Sequence, residues 1–287
     1  MASEQAGSSG QGELRTRVAS AAILGPVALL AVIAGGIPFA ALVTVVAAIA
    51  YWEWTAIVGA DGMPAPRWAG LTLLVAGLLG LALVRADWSA AFIAAPVLAF
   101  FAAGIVVPSL RWLSRGMAYV AIPCAAFIAL RQAEPFGWAA ILYILVVVWA
   151  TDTAAYFGGR TMGGAKLWPR VSPKKTWSGA LSGIVAAVVF GGLTVALTGA
   201  GDLPTGLILA VPLSIAAQAG DLLESAIKRR FGVKDSGTII PGHGGVLDRV
   251  DGLFGAAALA WLIAVLGLGG MTLALPGSAV PIAGSAP

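Results

Sequence analysis

Charge is scarce in this sequence. Of its 287 residues, 10% are Asp, Glu, Lys or Arg, against about 25% in an ordinary soluble domain. Hydrophobic residues make up 59%, and the mean hydropathy is +0.93. So few charges cannot cover a surface that faces water, which excludes a soluble globular protein, and disorder requires the opposite composition. The composition therefore predicts an all-α polytopic integral membrane protein, for which lipid is the main solvent.

Cysteine and histidine occur once each, as Cys124 and His243. A single cysteine excludes an intrachain disulfide and a cysteine-based zinc site, and its apolar surroundings predict a buried structural thiol. A single histidine excludes every zinc site or mechanism that needs two. The net charge of +4 is weak evidence for an anionic partner, because positive loops that fix membrane topology give the same excess.

Long apolar segments predict about nine transmembrane helices, some of which are short enough to require tilt or a thinner bilayer. Residues 1–13 are predicted to be a disordered N-terminal tail, and residues 271–287 a flexible C-terminal tail. The apolar segments lie at 18–34, 37–57, 69–84, 89–108, 116–130, 137–157, 178–199, 205–227 and 252–270.

The basic residues indicate how the chain crosses the membrane. With a cytoplasmic N-terminus and nine crossings, 15 of the 17 Lys and Arg residues lie inside, and only Arg85 and Arg131 lie outside. Cytoplasmic segments carry such an excess of positive charge. We therefore predict a cytoplasmic N-terminus and a periplasmic C-terminus. The richness in Ala, Gly and Val suggests a bacterium, and hence its inner membrane.

Two polar stretches, 152–179 and 220–252, lie on the predicted cytoplasmic side. Asp221 falls within an apolar run, where an unpaired carboxylate is strongly disfavoured. It requires a cation, either a metal ion or a neighbouring Lys or Arg, and the residues leave both open. Helical spacing places four polar side chains of the second stretch on one face: Asp221, Glu224, Ser225 and Lys228.

Basic and glycine-rich segments follow that helix. KRR at 228–230 and PGHGG at 241–245 are typical of a phosphate-binding segment, although a tight loop has the same composition. Asp248 and Asp251 then begin the last apolar segment. There they either cap the helix or supply the oxygen ligands that Mg²⁺ prefers.

The first stretch contains the same mixture of residue types. Asp152 lies in an apolar run, and bases, hydroxyls and glycines follow it. A purely basic loop would suffice to anchor the protein or to bind acidic lipids. Acids and glycines beside the bases instead predict a site for metal and phosphate groups at the cytoplasmic edge of the bilayer.

Several motifs in these stretches match one family. The longest covers 27 positions, SAIKRRFGVKDSGTIIPGHGGVLDRVD at 225–251; others are GDLLES at 220–225, DTAAYFGGR at 152–160 and SPKKTW at 172–177. This set resembles the phosphatidate cytidylyltransferases, also called CDP-diacylglycerol synthases. One position departs from the pattern: Ser178 stands where the family usually has Glu, so we leave it out of the catalytic set.

The resemblance implies a reaction, a cofactor and a domain arrangement. CTP and phosphatidate would give CDP-diacylglycerol and diphosphate by Mg²⁺-dependent attack of the lipid phosphate on the CTP α-phosphorus, in phospholipid biosynthesis. The resemblance leaves open whether one or two Mg²⁺ ions bind, whether a monovalent cation assists and whether the protein is a homodimer. The expected partners are the two substrates and membrane lipids, with no nucleic acid. Residues 14–135 would form a scaffold or lipid cavity, and residues 136–270 the catalytic region facing the cytoplasm.

Site residues follow from the same resemblance. The expected catalytic residues are Asp221, Asp248, Ser225 and Lys228. The expected metal ligands are Asp221 and Asp248 as the principal pair, then Asp251 and Asp152, with Glu224 weaker. The expected binders of substrate phosphate are Arg160, Ser172, Lys174, Lys175, Thr176, Arg229, Lys234, His243, Gly244, Gly245 and Arg249. Glu53, a carboxylate in the second span, is expected to be structural, with lining of a lipid cavity as the alternative.

Two other functions fit the pattern less well. A CDP-alcohol phosphotransferase uses the motif DxxDGxxAR, which begins at Asp248, but Gly255 and Ala256 replace the final Ala-Arg and no acid follows Asp251. A transporter or channel would have acids along a path across the bilayer. Here the acids within the spans lie mostly in the cytoplasmic half, and ion passage has no use for the basic loops.

Overall fold

The structure is a computed structural model that describes residues 22–23, 25–83, 89–239 and 244–267. The two predicted tails, Arg85 and His243 therefore lie outside the described residues. Within that part the chain forms nine α-helices, named in chain order: α1 (Gly25–Ala34), α2 (Gly36–Ile57), α3 (Pro64–Leu83), α4 (Ser89–Val106), α5 (Arg111–Gln132), α6 (Gly137–Met162), α7 (Trp177–Thr198), α8 (Leu203–Arg230) and α9 (Leu247–Val265).

Six of these helices are long and apolar enough to cross a membrane: α2, α3, α5, α6, α7 and α8. The helix α1 is shorter, and α9 has Asp248, Arg249 and Asp251 among its first five residues. Each helix overlaps one of the nine predicted apolar segments. The membrane character and the helical fold are thus supported, while nine crossings stay a prediction.

Contacts between helices show which helix ends lie together. At one end of the bundle, Glu53 near the end of α2 contacts Leu247 at the start of α9. At the other end, Arg131 near the end of α5 donates to the carbonyl oxygen of Val32 in α1 at 2.7 Å. Among the described Lys and Arg residues, only Arg131 lies at this second end. The fold thus gathers the bases of many loops on one side of the bundle.

Large side chains of α2, α5 and α9 form the main core. Trp54 is buried and its indole N–H donates to the carbonyl oxygen of Trp112 at 2.8 Å. A Cβ added at Gly116 would lie 2.1 Å from the Trp54 ring, so α5 approaches α2 closely through a glycine. The thiol of Cys124 is 1% exposed, which confirms the predicted buried cysteine.

A β-hairpin interrupts the helices and was not predicted. Strand β1 (Lys166–Trp168) pairs antiparallel with β2 (Ser172–Thr176). Gly163 and Gly164, both with positive φ, end α6, and Pro169 and Pro173 prevent the helix from continuing. The all-α expectation is therefore corrected to a mostly helical fold in which a short hairpin carries part of the first polar stretch.

Backbone contacts through glycine bring the polar helices together. A Cβ added at Gly255 in α9 would lie 2.2 Å from the Ala216 carbonyl oxygen in α8, and one at Gly220 would lie 2.4 Å from the Asp251 carbonyl oxygen. A Cβ at Gly179 in α7 would lie 2.6 Å from a carbonyl oxygen of α6. Small residues allow helices to approach in this way within membranes. As a result α6, α8 and α9 place their carboxylates around one space.

Candidate active site

A basic cavity of about 620 Å³ lies between the hairpin and the ends of α6, α7 and α8. Four basic side chains and two carboxylates line it together with hydroxyl and amide groups. The charged lining residues are Asp152, Arg160, Lys166, Lys174, Lys175 and Asp221. Such a cavity suits a ligand that carries several negative charges.

An acidic cavity of about 550 Å³ adjoins it, and the two share Asp152 and Asp221. Six carboxylates and two cationic side chains line the acidic cavity: Asp152, Asp221, Glu224, Asp235, Asp248, Asp251, Lys228 and Arg249. The five residues predicted as metal ligands therefore line one cavity: Asp152, Asp221, Glu224, Asp248 and Asp251. The excess of negative charge favours cations there.

Asp221 joins the hairpin to α8. Lys175 of β2 forms an ion pair with Asp221 Oδ2, and Ser225 Oγ donates to Asp221 Oδ1 at 3.4 Å. The cation that Asp221 requires in an apolar helix is thus a lysine in this structure, one of the two alternatives that its sequence leaves open. Asp152, in contrast, makes no side-chain hydrogen bond or ion pair within the described residues.

Lys228 joins α8 to α9. Its ammonium nitrogen lies 2.6 Å from Glu224 Oε2 and 2.5 Å from Asp248 Oδ1. All three side chains are at most 10% exposed, so the attraction between them is weakly screened by solvent. Glu224, ranked last among the expected metal ligands, is thereby held by a lysine.

Backbone amides complete the surroundings of Asp248. Its Oδ2 accepts from Ser236 N at 3.0 Å and from Gly245 N at 3.1 Å. A Cβ added at Gly244 would lie 3.2 Å from the same oxygen, and the φ of Gly244 is +83°. Glycine is therefore required at 244, where the backbone passes close to the Asp248 carboxylate. Gly244 and Gly245 serve Asp248 in the structure, and a contact of theirs with substrate phosphate stays a prediction.

Glu53 of α2 binds residues 236 and 246–247, next to the residues that bind Asp248. It is 2% exposed, and it accepts from Val246 N at 2.9 Å, Leu247 N at 2.8 Å and Ser236 Oγ at 3.0 Å. It does not line either cavity. These contacts confirm the structural role expected for Glu53.

Thr176 places the start of α7 at the basic cavity. Its Oγ1 accepts from Gly179 N at 3.1 Å, which caps the helix and satisfies a free amide of its first turn. Ser178 donates to the carbonyl oxygen of Gly163 and lines an apolar groove of α7 rather than either polar cavity. The omission of Ser178 from the catalytic set agrees with this position.

Other predicted residues lie outside the two cavities. Arg229 donates to the carbonyl oxygen of Val233 at 3.1 Å, Lys234 is exposed, and Ser172 lies in β2 without lining either cavity. The polar and aromatic lining residues that were not among the expected site residues are Trp149, Tyr156, Lys166, Gln218 and Asp235. Asp235 lies inside the longest family motif, and that position was the available signal for it.

The donors in the acidic cavity fit a magnesium ion by chemistry and charge. Carboxylate oxygens are the ligands that Mg²⁺ prefers, and six carboxylates outnumber the two cationic side chains of this cavity. Within the described residues, no three His, Cys, Asp or Glu side chains converge closely enough to hold a metal ion. Lys175 and Lys228 instead contact the oxygens of Asp221 and Asp248.

Comparison with known proteins identifies the family of the chain. A model of the cytidylyltransferase family matches residues 15–266. The chain belongs to the cytidylyltransferase family. This cytidylyltransferase is 42% identical over 262 residues to the phosphatidate cytidylyltransferase of Brucella suis biovar 1 (strain 1330), covering 88% of this chain and 94% of that protein. It is 32% identical over 268 residues to the phosphatidate cytidylyltransferase of Bacillus subtilis (strain 168), covering 88% and 98%.

A further relative matches over a shorter length, 51% of that protein. The phosphatidate cytidylyltransferase of Staphylococcus haemolyticus (strain JCSC1435) is 46% identical over 139 residues, which is 47% of this chain. The family predicted from the motifs is confirmed, and the cytidylyltransferase is a nucleotidyltransferase enzyme.

Proposed function

We propose that this cytidylyltransferase transfers the cytidylyl group of CTP to phosphatidate, giving CDP-diacylglycerol and diphosphate. One observation carries the proposal. A basic cavity and an acidic cavity meet at Asp152 and Asp221, ten and nine residues before the ends of the apolar helices α6 and α8. A reaction that joins a nucleoside triphosphate to a lipid phosphate needs both charge environments in one place at the edge of the lipid. The relatives named above support the choice of substrates.

The basic cavity is the proposed site for the substrate phosphates. Arg160, Lys166 and Lys174 provide cationic donors around it, and Lys175 contributes a further charge beside Asp221. Charge-assisted hydrogen bonds from such groups to phosphate oxygens are short and strong. Two polyanionic substrates repel each other, so cations around both bring the reacting groups together.

The acidic cavity is the proposed magnesium site. Asp221, Asp248, Asp251 and Asp152 would hold Mg²⁺, with Glu224 a weaker candidate. When bound, the ion would neutralise the charge that develops on the triphosphate and orient it. The proposal admits one or two Mg²⁺ ions, with or without a monovalent cation.

The chemistry requires little from the protein beyond position and charge. A phosphate oxygen of phosphatidate forms a new bond to the CTP α-phosphorus, and the bond from that phosphorus to the β-phosphate bridging oxygen breaks, so diphosphate leaves with the electron pair. The attacking phosphate is anionic at neutral pH, and no strong general base is needed. Ser225, Ser172 and Thr176 are proposed as hydrogen-bond donors, and Lys228, Arg229, Lys234, His243 and Arg249 as binders of phosphate. Ser172, Arg229 and Lys234 line neither cavity, so these three would contact substrate only where it extends beyond the cavities.

The proposed location is the bacterial inner membrane, with the active site at the cytoplasmic face. The bases at the active-site end of the bundle support this orientation, because cytoplasmic segments carry the excess of Lys and Arg. With nine crossings, the C-terminus would be periplasmic. CTP would enter from the cytoplasm, and the lipid would enter laterally from the bilayer.

A direct assay tests the proposed function. Protein purified in detergent is incubated with radiolabelled CTP, phosphatidate and Mg²⁺, and the lipid and diphosphate products are separated. We expect CDP-diacylglycerol and diphosphate in equal amounts. No CDP-diacylglycerol from folded protein under these conditions would overturn the proposal.

Two isosteric variants test the assignment of residues. Asp221→Asn and Asp248→Asn should each abolish turnover and leave expression intact. Asp202→Asn is the matched control: Asp202 caps α8 through Thr205 N at 2.9 Å, and Asn caps a helix about as well as Asp. Near-normal turnover by either site variant would contradict its assignment as a ligand.

A further inference from the structure

Glu53 caps α9 from a different helix. Its two carboxylate oxygens accept hydrogen bonds from Val246 N and Leu247 N, the first amides of α9, which have no partner within that helix. A negative charge at a helix N-terminus is also stabilised by the helix dipole. The N-cap residue of α9, Val246, makes no side-chain capping hydrogen bond. The start of α9 is therefore fixed by α2.

The first turn of α9 also contains Asp248. Residues 236–237 and 244–247, the capping segment, bind Asp248 on one side and Glu53 on the other. Ser236 donates its backbone N–H to Asp248 at 3.0 Å and its hydroxyl to Glu53 at 3.0 Å. Gly245 N donates to Asp248, and the next two amides, Val246 N and Leu247 N, donate to Glu53. The segment is thus held between two carboxylates, of which one faces the acidic cavity and the other does not.

The backbone at Gly237 and Gly245 lies close to Glu53. A Cβ added at Gly245 would lie 1.9 Å from Ser236 Oγ and 2.7 Å from Glu53 Oε2, and one at Gly237 would lie 2.8 Å from Glu53 Oε1. Both glycines allow the backbone to reach the carboxylate. A shift of Glu53 would therefore move residues 236–237 and 244–247, and Asp248 with them.

We infer that Glu53 is a positioning residue of the transfer reaction: it sets the orientation of Asp248 by fixing 236–237 and 244–247 against α2. This inference rests on the proposed function, because it assigns Asp248 to the magnesium site. Residues that orient a ligand without touching the metal typically contribute about 10–100-fold in metal affinity or activity. Glu53 contacts neither cavity, so all of its effect must pass through the segment.

The test is the variant Glu53→Gln, in which an amide group that cannot accept replaces one of two accepting oxygens. Amide hydrogen exchange is measured without Mg²⁺ or substrate, in peptides that cover 244–254 and the hairpin. We expect faster exchange at Val246 and Leu247 and unchanged exchange in 166–176. Glu134→Gln is the matched control, since the Glu134 side chain is 73% exposed at the opposite end of the bundle.

Kinetics distinguish positioning from a general loss of folded enzyme. We expect Glu53→Gln to raise the Mg²⁺ concentration for half-maximal rate about ten-fold and to lower kcat, with a smaller change in KM for CTP. A variant that only unfolds in part would lose rate at an unchanged half-maximal Mg²⁺ concentration, and that result would overturn the inference. Normal exchange together with a normal Mg²⁺ dependence would overturn it as well.

A milder variant covers the case in which Glu53→Gln does not fold. Ser236→Ala removes one of the three donors to Glu53 and keeps the backbone N–H that binds Asp248. We expect a rise of about two- to three-fold in the half-maximal Mg²⁺ concentration, the low end of what one hydrogen bond contributes, because the two backbone donors to Glu53 remain. An unchanged value for folded Ser236→Ala would contradict the inference. If the unaltered protein makes no CDP-diacylglycerol, the proposed function fails, while hydrogen exchange still decides whether Glu53 holds the segment.

Discussion

The ammonium group of Lys228 on α8 lies 2.5 Å from Asp248 Oδ1 on α9. The same nitrogen lies 2.6 Å from Glu224, so one cation neutralises part of the charge of two buried carboxylates. The pair connects the two helices that bring most of the acidic cavity together. Its removal therefore affects both the assembly of the site and the site itself.

Lys228→Met is expected to destabilise the protein and abolish turnover. Removing one partner of a buried ion pair leaves an uncompensated charge and costs about 3–5 kcal/mol. The measurement is the thermal melting temperature in detergent together with the CTP assay. Lys234→Met is the control for stability, because Lys234 is exposed and forms no ion pair in the described part of the chain. Equal melting temperatures for both variants would contradict the role of Lys228.

Asp152→Asn should have the opposite effect on stability. Asp152 has no ion pair within the described residues, and its charge is disfavoured first by burial and then by repulsion from Asp221. The variant should abolish turnover yet raise the melting temperature by about 2–4 °C, the shift that about 1 kcal/mol gives in a large domain. A gain in stability with a loss of activity is typical of a residue kept for function. Asp248→Asn provides the contrast: it keeps one accepting oxygen but loses the charge that pairs with Lys228 and one acceptor for the two amides, which should lower both stability and turnover.

The acidic residues of the site could be predicted from the sequence because charge in an apolar helix is costly and therefore rare. Asp152 and Asp221 each interrupt an apolar run, and the structure places both at the junction of the two cavities. The partner of Asp221 could not be predicted. Lys175 lies 46 positions away among several equivalent bases, and only the hairpin selects it.

Glu53 shows where sequence reasoning ends. A carboxylate in a span is visible, but its partner Leu247 is 194 positions away and offers only a backbone amide, which leaves no signal in the residue type. The hairpin was missed for a local reason. Its strands have three and five residues, and Pro173 within the second obscures the alternation that indicates a strand.

Lys174 and Lys175 should respond differently to substitution by Ala. Lys174 is exposed and lines the basic cavity, so Lys174→Ala should raise KM for CTP about ten-fold, the loss of one charge-assisted bond, with little change in kcat. Lys175 also pairs with Asp221, so Lys175→Ala should lower kcat as well. Steady-state kinetics at varied CTP separate the two. Arg170→Ala, an exposed base that lines neither cavity, is the control, and an equal rise in KM there would indicate non-specific attraction.

Gly255→Ala tests whether the close approach of α8 and α9 is needed for the site. The added Cβ would lie 2.2 Å from the Ala216 carbonyl oxygen and 3.3 Å from the Cα of Gly220, one position before Asp221. The helices must separate to admit it, at a cost of about 1–3 kcal/mol, and Asp251 then moves away from Asp221. We expect a lower melting temperature and a lower rate per folded enzyme. Gly62→Ala, where nothing lies within 4 Å, should change neither, and normal turnover by Gly255→Ala would show that the site tolerates a wider gap between these helices.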